Sequence, residues 1–214
     1  MMKLTADNME DYILSHSDEE GSLLSTLYRD ANVNLLRPRM LAGHLQGRIL
    51  KMFCRMLRPH RVLEIGTYTG YATLCMAEGL EDDALIHTIE INDEMEDFIM
   101  KYFPRSPYKD KIKLHFGDAL ELIPTLGETF DMVYIDGDKR QYSDYFETAF
   151  PYIRQGGLIL ADNTLWDGKV IEEVHSSDKQ TEEILHFNDK IKNDDRIEKV
   201  ILPLRDGLTM IWKK

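Results

Sequence analysis

The chain divides by the spacing of its apolar positions. Its first sixty residues read as helix: Met9, Tyr12 and Ile13 mark one over about 4–16, Leu23, Leu24, Leu27 and Tyr28 a second over about 21–33, and a third runs over about 40–58. In the third, Leu45, Ile49, Met52, Phe53 and Met56 share one face and Arg48, Lys51, Arg55 and Arg58 the other, which predicts an apolar side packed inward and a basic stripe turned outward. From residue 61 short apolar runs alternate with amphipathic stretches. Strands are predicted at Arg61–Ile65, Leu85–Glu90, Lys111–Phe116, Asp131–Asp136 and Gly157–Asp162, with helices between them over about 70–80, 93–103, 119–126 and 142–153. That alternation predicts a mostly parallel sheet with helices on both faces. A further helix over about 179–193 leads to Ile197–Leu202 and Leu208–Lys213. Pro203–Gly207 between them is long enough only for a hairpin, so the last strand is expected to run antiparallel to its neighbour. The expected class is α/β, a seven-stranded sheet with extra helices at the amino-terminal end.

Composition narrows the setting. With 214 residues, a single domain is expected, residues 1–39 forming accessory helices and 40–214 the core. A chain of this length buries about 70% of its extended surface on folding and needs no disulfide or structural metal to hold a core. Twenty-six Lys and Arg against 38 Asp and Glu give a net charge of −12, which opposes broad binding to nucleic acid or to an anionic membrane. The two cysteines, Cys54 and Cys75, lie in apolar helical patterns rather than in a disulfide framework, as expected of a reduced, cytoplasmic setting. No apolar run is long enough for a membrane span, and the opening MMKLTADNMEDY has no apolar core of a signal peptide.

In an open α/β sheet, ligands bind beyond the carboxyl ends of the strands. Those ends carry Glu64 with Gly66, Glu90, Asp118, Asp136, and Asp162 with Asn163. An acid at a strand end is by default a turn or cap residue; five on one edge of one sheet ask for more. The first turn, Glu64-Ile-Gly66-Thr-Tyr68-Thr-Gly70, lets the backbone approach a ligand but lacks the G-x-G-x-x-G spacing that cradles a pyrophosphate, which disfavours a dinucleotide and with it a nicotinamide-dependent dehydrogenase. Glu90, 24 residues after Gly66, stands where a carboxylate can accept from both ribose hydroxyls. A nucleoside without phosphates satisfies both observations. Asp136, Asp162 and Asn163 offer three oxygen donors, a set that selects Mg²⁺, Ca²⁺ or Mn²⁺ over zinc. Lys139, three residues past Asp136, is by default a solvated charge, but beside a divalent cation its pKa falls far enough for it to act as a base.

At these residues the sequence resembles the cation-dependent, S-adenosylmethionine-using O-methyltransferases, the family of the catechol and caffeoyl-CoA enzymes and many bacterial proteins. The matching stretches are VLEIGTYTGYATL (62–74), IHTIEIN (86–92), FGDALELIP (116–124), YIDGDKRQY (134–142), LILADNTLWDGKV (158–170) and LPLRDGLTMI (202–211). The resemblance implies a Rossmann-like methyltransferase fold with S-adenosylmethionine as cofactor. Glu64, Gly66, Tyr68 and the turn through Ala72 would surround its methionine part, Glu90 would hold the ribose, Asp118 and Ala119 would flank the adenine, and Met40 to Gly43 would close the pocket. Asp136, which also borders the cofactor, would bind the metal, Mg²⁺ foremost, with Asp162 and Asn163. Lys139 would be the general base beside the catalytic Asp136, and Lys139, Asn163 and Trp166 would meet the acceptor, an aromatic vicinal diol.

Two features depart from that pattern. Ala72 stands where the family commonly has a serine that meets the amino-acid end of the cofactor, and Lys199–Arg205 contains no acid comparable to the late glutamate of the catechol enzyme, which places the sequence nearer the caffeoyl-CoA and bacterial branch. That branch implies a homodimer, for which the apolar helices of the first 35 residues offer a surface. An alternative acceptor, a hydroxylated uridine in tRNA, rests on the stripe of Arg48, Lys51, Arg55 and Arg58 alone.

Overall fold

The structure, a computed structural model, describes residues 6–175 and 177–214. Helices α1 (Ala6–Ser15), α2 (Gly21–Asn34) and α3 (Gly43–Leu57) precede the sheet. Then come β1 (Arg61–Ile65), α4 (Tyr71–Gly79), β2 (Leu85–Glu90), α5 (Glu96–Ile99), β3 (Ile112–Phe116), α6 (Ala119–Leu122), β4 (Phe130–Ile135), α7 (Tyr142–Ala149), β5 (Ile153–Asp162), α8 (Lys179–Lys192), β6 (Ile197–Leu202) and β7 (Leu208–Lys213). The strands form one seven-stranded sheet in the order β3-β2-β1-β4-β5-β7-β6. β1 through β5 pair in parallel, and β7 lies antiparallel between β5 and β6. The chain order reverses between β1 and β4, which opens a crevice at their carboxyl ends.

Because successive strand residues point to opposite faces, the buried apolar residues form two clusters. Val62, Met132, Tyr134, Leu158 and Leu160 pack with α2, α3, α4 and α5 on one side. Leu63, Ile65, Val133, Ile135 and Ile159 pack with α7 and α8 on the other. From α2, Leu24, Leu27 and Ala31 join the first cluster, and Tyr102 donates to Asp30 at 2.6 Å.

Three predicted helices are cut short, each by a proline. The 93–103 stretch is α-helical only over Glu96–Ile99, with a 3₁₀ turn before it and another, containing Pro104, after it. Pro124 likewise turns the end of α6 into 3₁₀, and Pro151 does the same after α7. A proline supplies no backbone N–H, so the i→i−4 ladder loses a bond there, even though Ile123 and Phe150 before Pro124 and Pro151 keep α-region backbone.

Helix α3 turns its other side inward from the one the apolar pattern predicts. Gln46, Gly47, Arg48, Leu50 and Cys54 are buried, while Met52 and Met56 are exposed. The cause is close approach to α4. A Cβ on Gly47 would lie 2.6 Å from the Cys75 Sγ, and one on Gly79 would overlap the Lys51 carbonyl. The basic stripe is thereby halved: Arg48 is only 6% exposed, Glu78 pairs with it at 2.9 Å and with Lys51 at 2.6 Å, and Arg55 and Arg58 stay exposed. Among the described residues no helix is long and apolar enough to cross a membrane.

Candidate active site

The crevice is assembled by tight backbone contacts at the ends of β1 and β4. The Asp136 N–H donates to the Ile65 carbonyl at 2.9 Å, and the Gly66 N–H to the Ile89 carbonyl at 2.9 Å. Gly66 has φ 100, and a Cβ there would overlap the Asp136 carbonyl, so only glycine lets the two strand ends come this close. Six non-glycine residues among those described have left-handed φ, and five of them (Tyr68, Asn163, Trp166, Asp167 and Arg205) sit in loops around this edge. Such backbone is held only where surrounding contacts over-determine it, and it clusters at working sites.

On the β1–β2 side, Glu64 is fully buried and its Oε2 accepts from the Thr88 hydroxyl at 2.6 Å and from the Thr73 hydroxyl. Its Oε1 has no partner among the described residues. Burial pushes its pKa up to about 8 against the two hydroxyl hydrogen bonds. Glu90 is set by two backbone donors, Tyr68 N–H at 2.6 Å and Asn92 N–H at 2.9 Å. Since each carboxylate oxygen can accept more than once, capacity remains for a ligand hydroxyl. Asp118 caps α6, accepting from the Leu120 N–H at 2.8 Å, and Ala119 is buried behind it. Met40, Leu41 and Ala42 face Gly66 to Thr69, Tyr71, Ala72 and Asp136 across a cleft of about 10 Å³. Ala72 therefore does line the cleft. Thr73 cannot supply the missing hydroxyl there, because its own is spent on Glu64.

On the β4–β5 side two carboxylates converge on one hydroxyl. Tyr134 donates toward Asp162 Oδ2 at 3.1 Å and lies 3.4 Å from Asp136 Oδ2. Asp162 also accepts from Gln46 Nε2 at 2.7 Å and from the Asn163 N–H at 2.9 Å. Lys139, itself buried, donates to Asp136 Oδ1 at 2.9 Å and to the Tyr142 hydroxyl. Burial first and the nearby Asp162 charge raise the Asp136 pKa to about 6, with Lys139 opposing both. Two acids and an amide, all hard oxygen donors, at adjacent strand ends suit an Mg²⁺-like cation, and the mutual repulsion of the acids is what such an ion relieves. Among the described residues no group of three or more His, Cys, Asp and Glu forms a metal cluster, so a cation here would rely on Asn163 as its third protein donor.

A second cleft, about 400 Å³, lies between the loop after β5 and the β6–β7 turn and is lined by Leu165, Asp167, Gly168, Val170, Ile171, Arg205 and Asp206. Trp166 turns away from it and packs against the α7–α8 cluster, with Lys169 5.9 Å from its ring. The sequence pattern did not single out Gln46, Tyr134 or Arg205. Gln46 and Tyr134 read as ordinary helix and strand positions; the β4–β5 register, which sets Tyr134 beside Leu160, brings Tyr134 to Asp162, and the packing of α3 brings Gln46 there.

A family model described as O-methyltransferase matches residues 14–214. The chain belongs to the O-methyltransferase family. This O-methyltransferase is 30% identical over 208 residues to a probable caffeoyl-CoA O-methyltransferase of Dictyostelium discoideum, covering 95% of this chain and 90% of that one. It is 29% identical over 190 residues to a catechol O-methyltransferase of Niastella koreensis, covering 87% and 85%. Its fold superposes on an SAH-bound methyltransferase from Podospora anserina with a TM-score of 0.89 at 27% identity, covering 98% and 95%.

Proposed function

We propose that this O-methyltransferase moves a methyl group from S-adenosylmethionine to one hydroxyl of a small aromatic vicinal diol, with a divalent cation, Mg²⁺ first among Mg²⁺, Mn²⁺ and Ca²⁺, at the β4–β5 edge. The carrying observation is the pair Asp136 and Asp162 meeting at the Tyr134 hydroxyl with Lys139 on one of them, next to the cleft between Met40–Ala42 and Gly66–Ala72. The catechol and caffeoyl-CoA relatives support the acceptor class, and the SAH-bound neighbour supports the cofactor.

In this reading Glu90 accepts from the ribose hydroxyls, Asp118 and Ala119 border the adenine, and Glu64, Gly66, Tyr68 and Ala72 enclose the methionine part. Asp136, Asp162 and Asn163 would hold the cation, and Gln46 and Tyr134, both on Asp162 Oδ2, would fix the rotamer of Asp162. The chemistry such a cation would supply there is acidification of an acceptor hydroxyl, and the cofactor would supply the electrophilic methyl. Lys139, whose Nζ lies 2.9 Å from Asp136 Oδ1, would take the acceptor's hydroxyl proton at Nζ. The loop carrying Asn163 to Gly168 orients the ring, and holding oxygen and methyl at near-attack distance contributes several kcal/mol, of the order of 7. The exposed Met9, Tyr12 and Ile13 of α1 and Met52 and Met56 of α3 support a homodimer through the amino-terminal helices, measurable by sedimentation velocity. The tRNA alternative is weakened, since Arg48 and Lys51 are taken up by Glu78 and Arg58 pairs with Glu81. The deciding experiment is turnover of a catechol panel with and without EDTA: loss on chelation and recovery with Mg²⁺ are expected, and full activity in EDTA removes the cation from the mechanism.

A further inference from the structure

Arg205 belongs to the turn between β6 and β7, yet its guanidinium reaches the opposite wall of the cofactor cleft. Its Nη1 donates to the Leu41 carbonyl at 2.9 Å and to the Ala42 carbonyl, and lies 3.4 Å from Gln46 Oε1. The turn that presents it is anchored to the loop after β5: Leu165 N–H donates to the Asp206 carbonyl at 2.8 Å and Thr164 N–H to the Gly207 carbonyl at 3.1 Å. A Cβ on Gly207 would collide with Leu165. The guanidinium is thus offered from a fixed base to a segment whose Leu41 and Ala42 side chains are buried but whose backbone bonds, Met40 N–H to the Arg37 carbonyl and Leu41 N–H to the Pro38 carbonyl, are all local. Arg205 also keeps a left-handed φ of 48, a conformation unfavourable to a side-chain-bearing residue that its contacts must offset.

The wall it grips is the one that matters for access. With Leu41 and Ala42 in place the cleft holds about 10 Å³, room for about one water molecule. A nucleoside with an amino-acid tail is far larger than this gap, and an outward shift of Met40 to Ala42 would widen it and break both carbonyl contacts.

We propose that Arg205 is a latch: a positioning residue that ties the Met40–Ala42 wall to the β6–β7 turn and sets how fast S-adenosyl ligands leave. The inference rests on the cofactor reading above, but its first effect does not need the cofactor. Without ligand, Arg205→Gly frees the wall, and amide hydrogen exchange at residues 39–43 speeds up about tenfold, as expected for losing hydrogen bonds from a charged donor. The same variant relieves the left-handed backbone, so its thermal midpoint stays level or rises. A merely structural arginine would instead lower it.

The test measures exchange in the ligand-free proteins and S-adenosylhomocysteine dissociation by stopped-flow competition, for wild type, Arg205→Gly and Arg205→Lys. Expected are a dissociation rate raised about tenfold in Arg205→Gly and partial recovery in Arg205→Lys, whose ammonium still reaches a carbonyl. Dissociation within twofold of wild type together with unchanged exchange at 39–43 overturns the latch. Failure of the wild type to bind S-adenosylhomocysteine overturns the cofactor reading instead, and the exchange comparison then still decides whether Arg205 holds the wall.

Discussion

The two halves of the strand edge treat their acids in opposite ways. On the β1–β2 half each carboxyl has its own neutral donors: Thr73 and Thr88 for Glu64, the backbone of Tyr68 and Asn92 for Glu90. Glu64, with a pKa near 8, is mostly a neutral acid at pH 7. On the β4–β5 half Asp136 and Asp162 share one tyrosine hydroxyl, burial and the Asp162 charge push the Asp136 carboxyl up, and Lys139 is the cation directly against it. The first half is preorganised for hydroxyls and amines; the second is short of positive charge. Neutral hydrogen bonding and charge shortage are separable, so the halves can be broken independently.

The largest effect belongs to the charged half. Asp162→Asn keeps an acceptor for Gln46 and Tyr134 but removes the charge, and kcat is expected to fall at least about a hundredfold while S-adenosylhomocysteine affinity, read by calorimetry, changes less than about threefold. A comparable loss of cofactor binding would merge the two halves into one site. Glu90→Ala should do the reverse. Removing a doubly accepting carboxylate from the ribose weakens S-adenosylhomocysteine by about 2 kcal/mol, roughly thirtyfold, with kcat at saturating cofactor nearly kept.

A smaller, pH-dependent effect follows from Glu64. Its folded pKa lies above the ordinary 4.5, so folding takes up a proton between about 4.5 and 8, and this group's contribution to the ligand-free protein is full at acid pH and fades as pH climbs through that window. Glu64→Gln should flatten the decline in urea midpoint between pH 5 and pH 8; an identical decline in the variant assigns it elsewhere. Asp118→Ala is expected to cost about 1 kcal/mol of stability as a lost cap, and an added fall in cofactor affinity would make Asp118 a binding residue as well.

The sheet was readable because strand residues advertise themselves locally. Arg61–Ile65, Leu85–Glu90, Ile197–Leu202 and Leu208–Lys213 form with the bounds their apolar runs suggest, and the short 203–207 link forces the antiparallel β7. What could not be read was decided by partners distant in sequence. The inward side of α3 is chosen by Gly47 meeting Cys75 and Gly79 meeting Lys51, and a rule that seeks large apolar side chains overlooks a face selected for smallness. β5 begins at Ile153 rather than Gly157, because Ile153 pairs with Phe130 ahead of an irregularity in which β5 advances from Ile153 to Leu158 while β4 advances from Phe130 to Met132. The acids at the strand ends were legible as residue types at predictable places. Gln46, Tyr134 and Arg205 were not, since each acts across the fold on a group 28 to 164 residues away.

The position of β7 has a bearing on how the molecule comes together. It slots between two strands that precede it in the chain, so until residues 208–213 arrive, β5 presents an unprotected apolar margin on which a stray strand from another molecule could seat itself. Refolding at high protein concentration should therefore lose material to aggregation mostly before this final insertion, and a peptide copying Leu208–Lys213 should compete for the same groove.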